Sequence, residues 1–281
     1  MGNTSYNVSS RSIRAESKGY HTKSRNALFS QNIIGTSHSS MKSENIDLRE
    51  CRDSVENPNS FPIILGLDVT GSMGRIPHYL IKDGLPLIMD GIIQDGLNDP
   101  AVLFIAVGDH KTDSYPLQIG QFESGDEELD MWLQRCYLEG RGGGNYGESY
   151  SLIHHFAVNN TVTDNFEKRN MKGVIITIGD EPTHQAYSSE DIRRITGDGD
   201  NPPFTSKSII EQAKEKWNIF HIIPRREKYP NTMDSWIELL GENNVFLTET
   251  QEDIADTIKR IVKENNNVSN NDSINKNQEI L

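Results

Sequence analysis

Five short apolar runs limit what this chain can fold into: Pro62–Leu67 (PIILGL), Ala101–Val107 (AVLFIAV), Gly173–Gly179 (GVIITIG), Ile219–Ile223 (IFHII) and Val245–Leu247 (VFL). Each is closed by turn residues and offers almost no polar face, so as a strand it must be covered on both sides. Helical periodicity falls between them, at about 76–94, 126–138, 148–158, 206–216, 233–240 and 251–263. The last stretch is the cleanest. Ile254, Ile258, Ile261 and Val262 share a face, Thr250 stands at the N-cap, and Glu252 and Asp253 occupy the first turn. Strands alternating with helices predict an α/β fold: a doubly wound, mostly parallel central sheet with helices on both faces, Rossmann-like in outline.

The flanks read differently. Residues 1–45 are rich in Ser, Asn and charge without a steady apolar period, and are expected to be a disordered arm; 264–281 form an Asn-rich tail expected to be the same. The domain is placed at 46–263, with its core at about 60–263. Residues 1–49 carry seven Lys and Arg against three acids, although the whole chain has a net charge of −13. A basic arm on an acidic body folds back on it, docks to an acidic partner, or stays solvated. The overall acidity argues against a nucleic-acid binder, which needs a basic face to displace counterions. No run is long enough to span a membrane, and the opening MGNTSYNVSS lacks the apolar stretch of a signal peptide. Cys51 and Cys136 are too few and too far apart for a disulfide framework, and fit reduced thiols in a cytoplasmic protein.

In a doubly wound sheet, ligands gather at the carboxyl ends of the strands. Three loops there carry chemistry. The first is Asp68-Val69-Thr70-Gly71-Ser72-Met73-Gly74, one acid and two hydroxyls at two-residue steps. The second is Arg141-Gly142-Gly143-Gly144-Asn145-Tyr146-Gly147-Glu148-Ser149, and the third Gly179-Asp180-Glu181-Pro182-Thr183-His184. Taken singly, each has a bland explanation: a helix N-cap, a flexible turn, a bend punctuated by proline. Together at neighbouring strand ends they suit a hard divalent cation. Mg²⁺ prefers oxygen ligands near octahedral geometry and keeps some waters. Thr70 and Ser72 offer neutral oxygens, and Asp68 and Asp180 offer charge, directly or through water. An ion held largely by hydroxyls stays under-neutralised and attracts a further carboxylate from outside.

These loops resemble the metal-ion-dependent adhesion site (MIDAS) of von Willebrand factor A domains. Asp68, Thr70 and Ser72 match the family's DxSxS motif with Thr for the first Ser, and Asp180 matches its third-loop aspartate. Asn145 lies closest to the second-loop threonine; Glu148 is the alternative ligand there. The resemblance covers about residues 60–263. DVTGSMG, GGGNYGESY and GDE look more narrowly like intracellular von Willebrand A proteins of bacteria and phages. It implies a cytoplasmic Mg²⁺ (or Mn²⁺) site gripping an Asp or Glu of a protein partner, and, because such relatives often work with MoxR-type AAA+ ATPases, a partner of that kind. It implies neither nucleic acid nor membrane as partner, and no catalysis.

Two other readings remain. A phosphotransferase of the haloacid dehalogenase type also places Asp after an apolar strand. It needs a second acid where Thr70 stands, however, and losing that proton donor removes a factor of about 10²–10⁴ in rate. A scaffold with a vestigial metal site is the other. No GxxxxGK[ST] offers an ATP cradle. Among remaining residues, His154 and His155 read as packing and surface positions, and Trp132, Trp217 and Trp236 as core. His110, His184 and His221 show no metal-ligand spacing, and Asp109 and Asp113 read as solvated loop acids.

Overall fold

The β-branched run Val174-Ile175-Ile176-Thr177-Ile178 can bury both faces only in the middle of a sheet, and it lies there. The structure, a computed structural model, describes residues 4–71, 73–140, 147–198, 201–224 and 231–278, with side chains as far as residue 266. Six strands form the central sheet: β1 (Phe61–Asp68), β2 (Pro100–Val107), β3 (Leu117–Ile119), β4 (Gly173–Ile178), β5 (Trp217–Pro224) and β6 (Val245–Thr248). Their order is β6-β5-β4-β1-β2-β3. All neighbours run parallel except β3, an antiparallel edge strand beside β2. The five apolar runs are thus five of the six strands. The three-residue β3 is too short for a period-2 pattern to announce.

Alternation along the strands assigns the faces. Ile63, Leu65 and Leu67 of β1, with Val102, Phe104 and Ala106 of β2, pack on one side. Ile64, Leu103, Ile105, Val107 and Ile175 pack on the other. The first face is covered by α2 (Leu85–Gln94), α3 (Asp126–Gln134) and α8 (Gln251–Gln278). The second is covered by α4 (Ser151–Asn159), α5 (Ser189–Thr196), α6 (Ser206–Ala213) and α7 (Thr232–Leu240). Gly66 permits this on the second face, since a side chain there would run into Ile153 of α4. The 76–94 stretch is interrupted: a short helix (Arg75–Tyr79) passes through a π turn (Leu80–Gly84) into α2. Trp217 and Trp236 are buried and Trp132 nearly so.

Chain order reverses around β1. Successive strands after β1 step outward as β2 and β3, whereas β4, β5 and β6 step the other way. The gap past the ends of neighbouring β1 and β4 is therefore the topological switch point, where such sheets bind ligands. Asp68 ends β1, and Asp180 follows β4 by two residues.

The N-terminal flank carries structure of its own. Residues 4–45 lie on the body, opening with α1 (Val8–Ser17), whose N-cap Asn7 accepts from Ser10 N. Arg11 Nε meets Asp130 Oδ1 at 2.8 Å with both side chains buried. Arg14 meets Asp130 Oδ2 at 3.0 Å and Asp126 Oδ2 at 2.5 Å. Tyr20 lies under the Arg11 guanidinium at 4.9 Å, and Phe29 and Met41 enter the core. An apolar-periodicity reading misses this segment because its anchors are the Arg11 and Arg14 ion pairs and single apolar side chains at no regular spacing. At the other end α8 continues helical to Gln278, since extending a formed helix needs no new nucleus.

The buried arginine makes a prediction. Removing one partner of a buried pair leaves an uncompensated charge and costs about 3–5 kcal/mol. Asp130→Ala, which strands the buried Arg11 guanidinium, should lower the unfolding free energy in urea by that order. A loss below about 1 kcal/mol, as for an exposed pair, would show that the arm is not an integral part of the fold.

Candidate functional site

Asp68 is the last residue of β1 and almost fully buried. Its Oδ1 accepts from Thr70 N at 2.8 Å and Thr70 Oγ1 at 2.6 Å, so the two-residue spacing closes a turn that fixes the carboxylate. Its Oδ2 accepts from the Tyr150 hydroxyl at 2.6 Å. Tyr150 stands just before α4, and sequence reasoning passed it over. Its hydroxyl reaches Asp68 across Gly179, where any side chain would overlap it. Tyr150 is in turn packed by the rings of His221 and Trp236, which stack on each other at 3.7 Å. His221 bonds Thr177 Oγ1 at 2.7 Å and Gly179 O at 3.2 Å, so it fastens the end of β4.

The second loop is described from Gly147 onward. Glu148 is pinned to the third loop by two backbone bonds, its N donating to Pro182 O and its O accepting from His184 N, each at 2.9 Å. Ser149 N donates to Gly108 O at 3.0 Å, tying the same segment to the exit of β2. The Glu148 carboxyl is buried, and its Oε2 meets no hydrogen-bond partner among the described residues. Of the expected ligands, Asp68, Thr70 and Asp180 therefore stand at the switch point, all largely buried. Glu148 sits close enough to Asp68 for their charges to interact. Ser72 and Asn145 lie outside the described residues.

The acids perturb one another. Burial pushes the Asp68 carboxyl up to about 7 against the opposing bonds from Thr70 and Tyr150, with the Asp180 charge adding to the rise. Burial, then the charge of Asp68, then that of Glu181, push Glu148 up to about 10. Buried oxygens whose mutual repulsion resists ionisation, beside a hydroxyl, form a donor set suited to a small hard dication, whose charge would relieve that repulsion. Asp68 Oδ2, Thr70 Oγ1, Asp180 and Glu148 would hold it, directly or through water.

A neighbouring cluster contains residues that sequence reasoning set aside. Asp109 and Asp113, expected as solvated loop acids, are buried. Asp113 Oδ2 accepts from Asp109 N at 2.8 Å, an interaction a single-residue reading of a loop could not show. His184 Nε2 lies 2.8 Å from Asp109 Oδ1, and His110 Nδ1 lies 2.7 Å from Ser149 Oγ. Ligand atoms of Asp109, His110 and His184 all lie within 4.8 Å of one another, a spacing able to hold a metal ion. Metal-ligand spacing was invisible in the sequence because His110 and His184 are brought together by two different strand ends. His154 and His155 are both buried, one expected at the surface; His155 stacks on Phe204 at 4.8 Å.

The Asp68 environment has a pH consequence. A carboxyl near 7 when folded but about 3.9 when unfolded holds its proton more tightly in the folded state. Its contribution is full below the unfolded value and is lost as pH rises through 7. Thermal unfolding in EDTA should therefore show stability falling between about pH 4 and pH 7. Asp68→Asn should flatten that fall, and in EDTA at the upper pH it should melt above the wild type. An unchanged pH profile in the variant would show that Asp68 is not held as described.

No protein-family model matches the chain, and no curated protein matches it. Solved structures do. The pilus adhesin SpaC of Lactobacillus rhamnosus GG, in an open conformation, superposes with a TM-score of 0.51 at 10% identity over 76% of this chain and 31% of the adhesin. Proximal thread matrix protein 1 of the mussel byssus, in a structure with a zinc-occupied MIDAS motif, gives 0.47 at 13% over 73% of this chain and 45% of that one. A von Willebrand factor type A protein of Catenulispora acidiphila gives 0.43 at 12%, over 80% and 48% respectively. The chain thus spans about a third of the adhesin and under half of the other two. At these identities the likeness to the adhesin is one of fold alone, an α/β domain with a mostly parallel sheet.

Proposed function

We propose that this chain is a Mg²⁺-dependent protein-binding module, gripping an Asp or Glu of a partner through an ion held at the Asp68 end of β1. The observation that carries the reading is the Asp68 carboxylate itself, oriented by Thr70 and Tyr150 at the switch point, with the buried Glu148 carboxyl nearby. Ser72 and Asp180 complete the ligand set on the family resemblance, with Asn145 or Glu148 from the second loop. Mn²⁺ substitutes for Mg²⁺ in such an oxygen site. A partner carboxylate then fills the open position, and losing that desolvated contact weakens the complex more than losing a rim charge.

The reading has no bond-breaking step. Thr70 stands where a dehalogenase-type phosphotransferase needs its proton donor, and here its hydroxyl is spent on Asp68. On resemblance to intracellular bacterial and phage proteins, the first partner to test is a MoxR-type AAA+ ATPase, in the cytoplasm. No helix among the described residues is long and apolar enough to cross a membrane.

Mg²⁺ at a hundred times its dissociation constant should stabilise the fold by about 2.7 kcal/mol. Asp68→Ala should abolish that shift. The partner should be captured in Mg²⁺ and released by EDTA, and Asp68→Ala or Asp180→Ala should release it equally. Capture that survives both chelation and Asp68→Ala would place the grip elsewhere on the domain. Phosphomonoester turnover lost in Asp68→Asn would instead make the protein an enzyme, and ion-independent stability would leave a scaffold.

A further inference from the structure

The cluster beside the acid–hydroxyl site has a different chemistry. Two imidazoles and one carboxylate converge where the exit of β2 (Asp109 and His110) meets the loop after β4 (His184). We propose that Asp109, His110 and His184 form a second metal site, selective for a borderline transition-metal dication of the zinc class and independent of the Mg²⁺ site.

Geometry supports three ligands to one ion. Asp109 Oδ1 lies 2.8 Å from His184 Nε2 and 4.0 Å from His110 Nδ1. Ligands of a tetrahedral zinc at about 2.0–2.1 Å stand about 3.3 Å apart. The first contact must open slightly, the second must close by less than an ångström, and the two imidazole nitrogens, within 4.8 Å of each other, must come to the same spacing, which side-chain rotation provides. Water takes the fourth position.

Donor type sets the selectivity. Imidazole nitrogen suits zinc and its neighbours, whereas Mg²⁺ is poorly served by it. Outer contacts already aim the groups. Asp109 Oδ1 accepts from Lys111 N at 3.0 Å, and its Oδ2 accepts from Thr112 Oγ1 at 3.1 Å. Arg194 Nη2 donates to His110 O at 2.6 Å, and the His110 ring packs edge-on to His184 at 4.9 Å and against Tyr187 at 4.8 Å. Ser149 Oγ accepts from His110 N at 2.8 Å, a bond that survives when the nearby Nδ1 turns its lone pair to the ion. Such supporting contacts typically account for a factor of about 10–100 in metal affinity. Coordination replaces the His184–Asp109 hydrogen bond, with His184 Nε2 offering its lone pair and the ring proton carried at Nδ1. Occupancy would join two loops now linked there by a hydrogen bond.

The test uses the full-length chain stripped with EDTA, then titrated with Zn²⁺ against a chromophoric chelator; Co²⁺ serves as a visible-spectrum probe. One equivalent of Zn²⁺ should bind, and Co²⁺ should give the intense visible bands of a four-coordinate site. His110→Ala and His184→Ala should each weaken Zn²⁺ by about 100-fold or more. Asp68→Asn should leave Zn²⁺ binding intact while losing the Mg²⁺ thermal shift. His184→Gln, which keeps a donor toward Asp109, guards against misfolding: it should retain the wild-type circular dichroism and still lose the ion. Absence of Zn²⁺ binding in the wild type overturns the proposal. So does Zn²⁺ binding that survives His184→Gln, or that disappears in Asp68→Asn.

Discussion

The Asp68 carboxylate, taken out of water at the end of β1, is the constraint around which the rest of this end of the molecule is arranged. A buried carboxylate persists only if its oxygens are satisfied or its charge is met. Thr70 satisfies one oxygen from within the same loop, and Tyr150 reaches the other from the start of α4. The tyrosine needs Gly179 bare and the His221–Trp236 stack behind it. One acid thereby fixes the exit of β1, the end of β4, the start of α4 and a ring pair from β5 and α7. Breaking the Asp68–Tyr150 bond would loosen more than a hydrogen bond.

Sheet topology supplies the location. Because chain order reverses between β1 and β4, the loops after these two strands diverge and leave a rim lined by Asp68, Asp180 and the returning second loop. The second loop is not free to wander where it rejoins: Glu148 pairs with the third loop, and Ser149 with the exit of β2. The N-terminal helices reach the same region from outside. Asn32 Oδ1 accepts from Leu138 N at 2.9 Å, just before the glycine-rich stretch, and α1 is locked to α3 through buried arginine–aspartate pairs. An arm that looks like surplus charge in the sequence is part of what holds the scaffold under the site.

Most of the sheet was legible because its strands are apolar on both faces, a pattern that few other elements share. The placement of Asp68 and Asp180 at the ends of β1 and β4, with Thr70 beside Asp68, was legible because the apolar runs mark where those strands stop. The ordering of residues 4–45 was not, since Arg11 is anchored by Asp130, more than a hundred residues away, and no local period records that pairing. Tyr150 escaped notice for a similar reason: nothing in GESY says that its hydroxyl meets an acid on another strand. Asp109 and His184 looked like loop residues singly, and only the fold brings them within 2.8 Å.

The central claim is that a dication sits on Asp68, and Mn²⁺ can locate it directly. In amide-resolved NMR spectra of the full chain, substoichiometric Mn²⁺ should broaden Val69, Thr70, Gly71, Glu148 and Gly179 first, because paramagnetic relaxation falls steeply with distance. Asp68→Asn should remove that pattern without disturbing the resonances of β5 and β6. Broadening centred elsewhere in the wild type, or an unchanged pattern in Asp68→Asn, would contradict the account.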